Sequence, residues 1–213
     1  MARIVSLTPL GRDKERIKAE LGTGEELAVT VSHIADYGLY TGAELEEETL
    51  SRLRRDAERS RIRARALRIL GSRAMSRREL VRSLTDKGED EAAAEAAAEW
   101  AESLGLIDDR EYAMAVVRHY AAKGYGLMRI RGELSRRGID RSLWDEALSQ
   151  LPEEMEEAAY QALEAILKGA PGDKAKLRRA GQALARRGFS WSEIQRALRR
   201  YTEEFGEEEL DER

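Results

Sequence analysis

The chain has 213 residues, of which 37% are charged and 42% apolar, with three prolines, two histidines, no cysteine and a formal net charge of −4. The lack of cysteine excludes disulfides, thiolate metal sites and thiol nucleophiles, and His33 and His119 are too far apart in sequence to form a zinc-binding spacing, so neither a metal nor a cofactor is expected. No apolar run reaches the roughly 18 residues that cross a bilayer, and MARIVSLTPLGRDKER lacks the apolar core of a signal peptide, so a cytoplasmic protein with no membrane partner is expected.

Residues 1–44 alternate in polarity through Ile4 to Leu7, Arg16 to Leu21 and Glu26 to Val31, with Gly22-Thr23-Gly24 as a turn. That pattern predicts a small antiparallel β element of two or three strands. So few strands are unstable alone, so the element should pack on the helices or on a partner. A connecting helix follows over 45–60, carrying Leu45, Leu50 and Leu53.

From residue 61 the sequence repeats. Leu84 to Gly88, Leu134 to Gly138 and Leu184 to Gly188 share the form L-x-x-[KR]-G at spacings of 50 residues. A fixed period of this length is the mark of a repeat architecture. The predicted fold is mainly α, with three tandem three-helix repeats over 61–107, 108–153 and 154–202, arranged as an elongated array and followed by an acidic tail over 203–213.

In the first repeat Ile62, Ala66, Leu67, Ile69 and Leu70 form an apolar helical stripe. Ser76 and Glu79 form a capping box opening a second helix with Leu80, Val81 and Leu84 inward, and Gly88 closes it in the left-handed conformation. A third helix, rich in alanine and acid, runs to about Leu104. The second repeat reads as a helix from Tyr112 through Tyr120, a Gly124-Tyr125-Gly126 turn, a helix from Leu127 to Arg137, and a helix begun by Asp140 with Leu143, Trp144, Ala147 and Leu148. The third has Ala159, Leu163, Ile166 and Leu167, a loop over 169–172, a helix from Leu177 to Arg187, and a capping box from Ser190 to Glu193. The paired carboxylates of GLIDDREYA (105–113) suggest a catalytic or metal pair at first sight. Their position before an apolar face instead predicts that Asp108 caps a helix, with Glu111 completing the box.

The modest net charge hides segregation. Net charges are +9 over 52–87, −8 over 88–113, +4 over 123–141, −7 over 142–167 and +8 over 168–200. Alternation on this scale gives each folded unit a basic and an acidic surface, or else simply solvated helix faces.

Three ordered motifs carry a family resemblance. A-L-x-I-L-x-x-R-x-x-S-x-x-E-L-x-x-x-L-x-x-K-G from Ala66 to Gly88, G-L-I-D-D-x-x-Y-A at 105–113, and G-x-G-x-x-R-I-x-x-E-L-x-x-[KR]-G-I from Gly124 to Ile139 resemble RecX, the bacterial modulators of the RecA recombinase. Leu127 departs from the pattern, since proline is frequent there. The resemblance implies three tandem three-helix repeats after an N-terminal extension, with no catalytic activity. It also implies binding in the groove of the RecA filament on single-stranded DNA, which lowers ATP hydrolysis, filament extension and strand exchange.

Basic side chains of the three repeats are the candidate contacts: Arg73, Arg77, Arg78, Arg82 and Lys87 in the first; Arg129, Arg131, Arg136 and Arg137 in the second; and Arg178, Arg179, Arg186 and Arg187 in the third. Weak contacts on tethered repeats gain from simultaneous engagement, and the protein is expected to be a monomer. A cation at the end of a helix also suits the helix dipole. The competing reading is a direct DNA-binding module, since tri-helical units with arginine-rich second helices resemble helix-turn-helix domains. An enzyme would rest only on carboxylate-rich segments. Trp144 and Trp191 are expected to pack in the core, while Tyr125 is the better candidate for stacking on a base.

Overall fold

The computed structural model of the chain describes residues 1–11, 13–152, 155–169 and 173–206. Part of the expected 169–172 loop and the acidic tail beyond Gly206 therefore lie outside the described residues. The fold is mostly helical after an N-terminal antiparallel sheet, and it divides into two compact units, 1–74 with 80–107 and 75–79 with 108 onward.

In the first unit, strands β1 (Ala2–Leu10), β2 (Asp13–Leu21), β3 (Glu26–Thr30) and β4 (Glu44–Leu45) form an antiparallel sheet in the order β3-β2-β1-β4. The sheet has one strand more than the alternation predicts, because β4 is only two residues long and pairs Leu45 with Ala2. Leu45 therefore belongs to the sheet rather than to the connecting helix. A short helix α1 (Val31–Tyr37), unmarked in the sequence reading, starts at a capping box built with a histidine. The His33 N–H donates to Thr30 Oγ1 at 3.3 Å, and the Thr30 N–H donates to His33 Nδ1 at 3.2 Å.

Helix α2 (Glu47–Leu70) runs without interruption past residue 60. Its first half supplies Leu50, Leu53 and Ala57 to a core shared with Ile4, Leu21 and Val29, and this is the support that the small sheet requires. Each leucine buried there contributes roughly 1.5–3 kcal/mol. Ile62 and Ala66 continue the buried line, but Leu67 is 44% exposed and leaves the expected stripe. Helices α3 (Arg77–Thr85) and α4 (Glu91–Ser103) follow, and Asp90 caps α4 by accepting the Ala92 and Ala93 N–H groups. Ala94, Ala97, Ala98 and Ala101 are the buried face of α4, where small side chains let it lie close to α2.

The second unit holds α5 (Asp109–Ala122), α6 (Leu127–Arg136), a 3-10 turn at Arg141–Leu143 leading into α7 (Trp144–Leu148), then α8 (Glu156–Leu167), α9 (Lys174–Arg186) and α10 (Trp191–Phe205). Ser190 and Glu193 form the predicted capping box. Helix α10 is clasped to α8 by Arg196 with Glu156 at 3.0 Å and by Arg200 with Glu157 at 2.6 Å, over a core containing Tyr201 and Leu163.

GLIDDREYA has a different internal logic from the one expected. Asp108 caps α5, accepting the Glu111 N–H at 2.9 Å, but the Glu111 carboxylate pairs with Arg118 at 2.8 Å instead of closing the box. Asp109 serves another helix altogether, accepting the Arg77 N–H at 2.7 Å at the start of α3. Tyr112 donates its hydroxyl to Glu79 at 3.0 Å, and the same Glu79 oxygen accepts the Ser76 N–H at 3.2 Å. The two aspartates thus serve the starts of two helices, Asp108 as the N-cap of α5 and Asp109 as a further acceptor at the start of α3, whose own N-cap is Ser76.

Adjoining repeats meet through main-chain carbonyls at the ends of the second helices. The Ser76 hydroxyl donates to the Arg137 carbonyl, and fifty residues later the Gly126 N–H donates to the Arg187 carbonyl at 2.8 Å. A side chain on Gly126 has no room, since a Cβ there would lie 2.4 Å from the Gly188 oxygen. Gly132, on the exposed side of α6, has nothing within 4 Å. Gly126→Ala is therefore expected to lower the urea-unfolding free energy by about 1–3 kcal/mol through forced separation of α6 from the end of α9. Gly132→Ala should raise it by about 0.4–1 kcal/mol, because the unfolded chain loses freedom at no steric cost.

Candidate functional site

The basic candidates divide by what neutralises them. On α6, Glu133 is 2% exposed and collects three arginines: Arg136, Arg129 at 3.2 Å and Arg137 at 3.8 Å. Burial alone would raise its pKa, but hydrogen bonds from Arg136 and Tyr120 and the charges of Arg136 and Arg137 hold it below the ordinary carboxylate value. Arg137 is largely buried over the Tyr120 ring, and Arg129 lies 5.9 Å above the Tyr125 ring. Arg131 is exposed and has no carboxylate partner among the described residues.

Helix α9 is different in kind. Residues 174–187 contain six basic side chains and no acidic one. Asp173 caps the helix through the Lys176 N–H and sits 3.9 Å from the Lys176 ammonium group. Arg178, Arg179 and Arg186 are exposed, fall with Gln182 on one side of the helix, and have no ion pair among the described residues. The opposite side buries Ala180 and Leu184, and Gly181 lets α10 approach, a Cβ there meeting Leu198 at 3.4 Å. Arg187 is half-buried beside Gly124.

The first repeat's candidates fall in both units. In the first unit Arg73, Arg82 and Lys87 are exposed, and the Lys87 carbonyl accepts the Arg65 guanidinium at 3.2 Å. In the second unit Arg77 is half-buried, and Arg78 lays its stem where a Cβ on Gly138 would fall.

Two features escaped the sequence reading. Glu89 is 7% exposed and is held by Arg61 and Arg65 from α2, a buried ion cluster bridging two helices. The Glu133 cluster did leave a signal, for Arg129, Arg136 and Arg137 stand at i−4, i+3 and i+4 from it. The aromatic expectations are partly reversed. Trp144 is half-buried and donates its indole N–H to the Ile139 carbonyl at 3.1 Å, but Trp191 is 74% exposed, because as the first residue of α10 it precedes the turn that faces the core. Tyr125 is half-buried against Tyr120 with ring centres 5.4 Å apart, so Trp191 is the open aromatic face. Among the described residues no group of three or more histidines or carboxylates is placed to hold a metal ion, and no helix is long and apolar enough to cross a membrane.

The architecture and the basic second helices define a tandem three-helix repeat protein. Family models match in register with the repeats: the first three-helix domain of RecX over residues 63–100, the second over 108–148 and the third over 153–198. The chain belongs to the RecX family. Named relatives include "Regulatory protein RecX" from Stenotrophomonas maltophilia strain R551-3, 37% identical over 158 residues, which is 74% of this chain and 96% of that one. Another, with the same name, is from Xanthomonas axonopodis pv. citri strain 306, 38% identical over 63% of this chain and 84% of its own. The fold is similar to the "Crystal structure of regulatory protein RecX", with a TM-score of 0.69 and 25% identity over 92% of this chain and 98% of that one. It is also similar in fold to the "Crystal structure of RecX from Lactobacillus salivarius", with a TM-score of 0.58 at 23% identity over 67% of this chain and 96% of that one.

The depressed pKa of Glu133 fixes the sign of a pH effect. A carboxyl group whose folded pKa lies below its unfolded value of 4.5 stabilises the fold above that pH, and the contribution is lost as pH falls through the folded pKa. Glu133→Gln is expected to cost about 3 kcal/mol at neutral pH by leaving three arginines around a neutral amide. The gap to the unmodified protein should shrink as pH falls from 4.5 through the folded pKa, which urea melts across pH would show.

Proposed function

We propose that this RecX-family protein is a negative regulator of RecA. It binds in the groove of the RecA filament on single-stranded DNA and lowers ATP hydrolysis, filament extension and strand exchange, acting as a cytoplasmic monomer without catalysis or cofactor. Family membership and the regulatory names of the relatives support this reading. The observation that carries it is α9, whose Arg178, Arg179 and Arg186 form an exposed cationic stripe with no internal partner among the described residues.

A filament groove presents anionic protein and phosphate surfaces at regular intervals, and an unneutralised stripe is attracted to them at little desolvation cost. Arg131, Arg82 and Lys87 extend the cationic set to the other second helices. Arg129, Arg136 and Arg137, tied to Glu133, serve first to stabilise α6 and engage a partner more weakly. Contacts on successive repeats reinforce one another because the repeats are tethered.

Arg178→Glu combined with Arg179→Glu and Arg186→Glu is expected to raise the concentration needed to inhibit DNA-dependent ATP hydrolysis by RecA at least about tenfold, equivalent to about 1.4 kcal/mol of lost binding. Helical content should be unchanged, since the three side chains are exposed. Full inhibition by this variant would remove α9 from the interface. Direct DNA binding is the second reading, favoured by the exposed Trp191 as a stacking face. It predicts tight binding to single-stranded DNA without RecA, weakening steeply with salt and lost in Trp191→Ala.

A further inference from the structure

The first unit contains a groove that none of the filament-contact candidates lines. It runs between α2 and α4 and has a volume of about 950 Å³. Its floor is apolar, formed by Ile62, Ala93, Ala96, Ala97 and the flank of Trp100. Ala93, Ala96, Ala97, Trp100 and Ser103 share one side of α4, so this wall extends about 15 Å along the helix, three turns of a docked peptide. The opposite wall is arginine: Arg54, Arg55, Arg59 and Arg63, against the carboxylates Glu58 and Glu99.

The charges on that wall are incompletely satisfied. Arg54 is bound to Glu25 and Glu47, Arg59 to Asp56, and the Glu58 carboxylate is taken by Arg61. Arg55 is exposed and has no ion pair among the described residues. Arg63 lies 4.8 Å over the Trp100 ring, and its buried Nε has no hydrogen-bond acceptor among the described residues. Burial and the neighbouring charge of Arg59 disfavour the charged form of that guanidinium. A carboxylate arriving in the groove would relieve both effects, supplying the missing acceptor and the counter-charge.

We infer that this groove docks an acidic amphipathic helix of a partner protein, its apolar side chains on the alanine floor beside Trp100 and its carboxylates on Arg55 and Arg63. Helix-in-groove recognition requires an apolar trough with charge on its rim, and aromatic and arginine side chains supply most of the binding energy at such surfaces. A nucleic-acid strand fits less well. It would need the open face of Trp100 for stacking, and Arg63 already covers that ring. This docking site is separate from the α9 stripe and stands or falls without it.

The test uses the full chain and no RecA. A fluorescently labelled helical peptide of about 16 residues, leucine on one face and glutamate on the other, is titrated by anisotropy beside a twin with lysine for glutamate and a deoxythymidine 20-mer. Saturable binding of the acidic peptide alone is expected. Ala96→Trp, which fills the trough from an exposed position, and Arg55→Glu, an exposed rim change that leaves packing untouched, should each weaken it at least about tenfold. The proposal is overturned by absence of saturable binding, by equal binding of the lysine twin, by unchanged affinity in both variants, or by oligonucleotide binding that those variants abolish.

Discussion

The repeat array depends on how the last carbonyls of each second helix find donors. A helix that ends in a left-handed glycine leaves its terminal carbonyls without intrahelical partners, and burying them unpaired would be costly. Lys87, Arg137 and Arg187 occupy this position at intervals of fifty residues, and each carbonyl is met differently: by the Arg65 guanidinium, by the Ser76 hydroxyl and by the Gly126 N–H. In the second unit the solution also links successive repeats, because the donor belongs to the start of the preceding second helix. The glycine at the cap is needed twice over, for its backbone conformation and for the space it leaves. Gly188 has a φ of +91°, and a Cβ on it would reach 2.3 Å from the Arg129 nitrogen.

That arrangement separates arginines that hold the fold from arginines left for a partner. Glu89 in the first unit and Glu133 in the second are buried carboxylates that pull guanidinium groups inward, and Glu156 and Glu157 do the same more superficially for α10. Position 183 in the third repeat, where Glu133 stands in the second, is Ala183, so among the described residues no buried carboxylate gathers Arg178, Arg179 and Arg186 as Glu133 gathers the arginines of α6. The loss of that carboxylate, together with Arg178 where the second repeat has Met128, leaves α9 an exposed charged stripe where α6 has a stabilising cluster. The N-terminal sheet, by contrast, is supported by Leu50, Leu53 and Ala57 on one face of α2, while Arg54, Arg55, Arg59 and Arg63 of the same helix line the groove shared with α4.

What could be read from the sequence was whatever is local. The fifty-residue period, the glycine caps, the capping boxes at Ser76 and Ser190 and the role of Asp108 follow from hydrogen bonds spanning three or four residues, and the structure contains them. The candidate surface was legible as a set of basic positions but not as a ranking among them. Arg136 and Arg186 occupy equivalent places in their repeats, yet one is bound to a buried carboxylate and the other is not. Glu133 could have been noticed from the arginines four before and three and four after it. Glu89 could not, because Arg61 and Arg65 reach it from a different helix.

The sequence by itself therefore determined the helical repeats, their ends and the family, since those are written in periodicity and capping within one turn of chain. Tertiary structure alone decided that Asp109 serves the start of α3 rather than its own helix, that Trp191 lies open while Trp144 is tied down, that Leu67 turns outward, and that α2 and α4 leave a groove. Each of these depends on which element arrives alongside. Residues far apart in sequence become neighbours only when burial of the apolar faces brings their helices together, and no local pattern specifies that arrival.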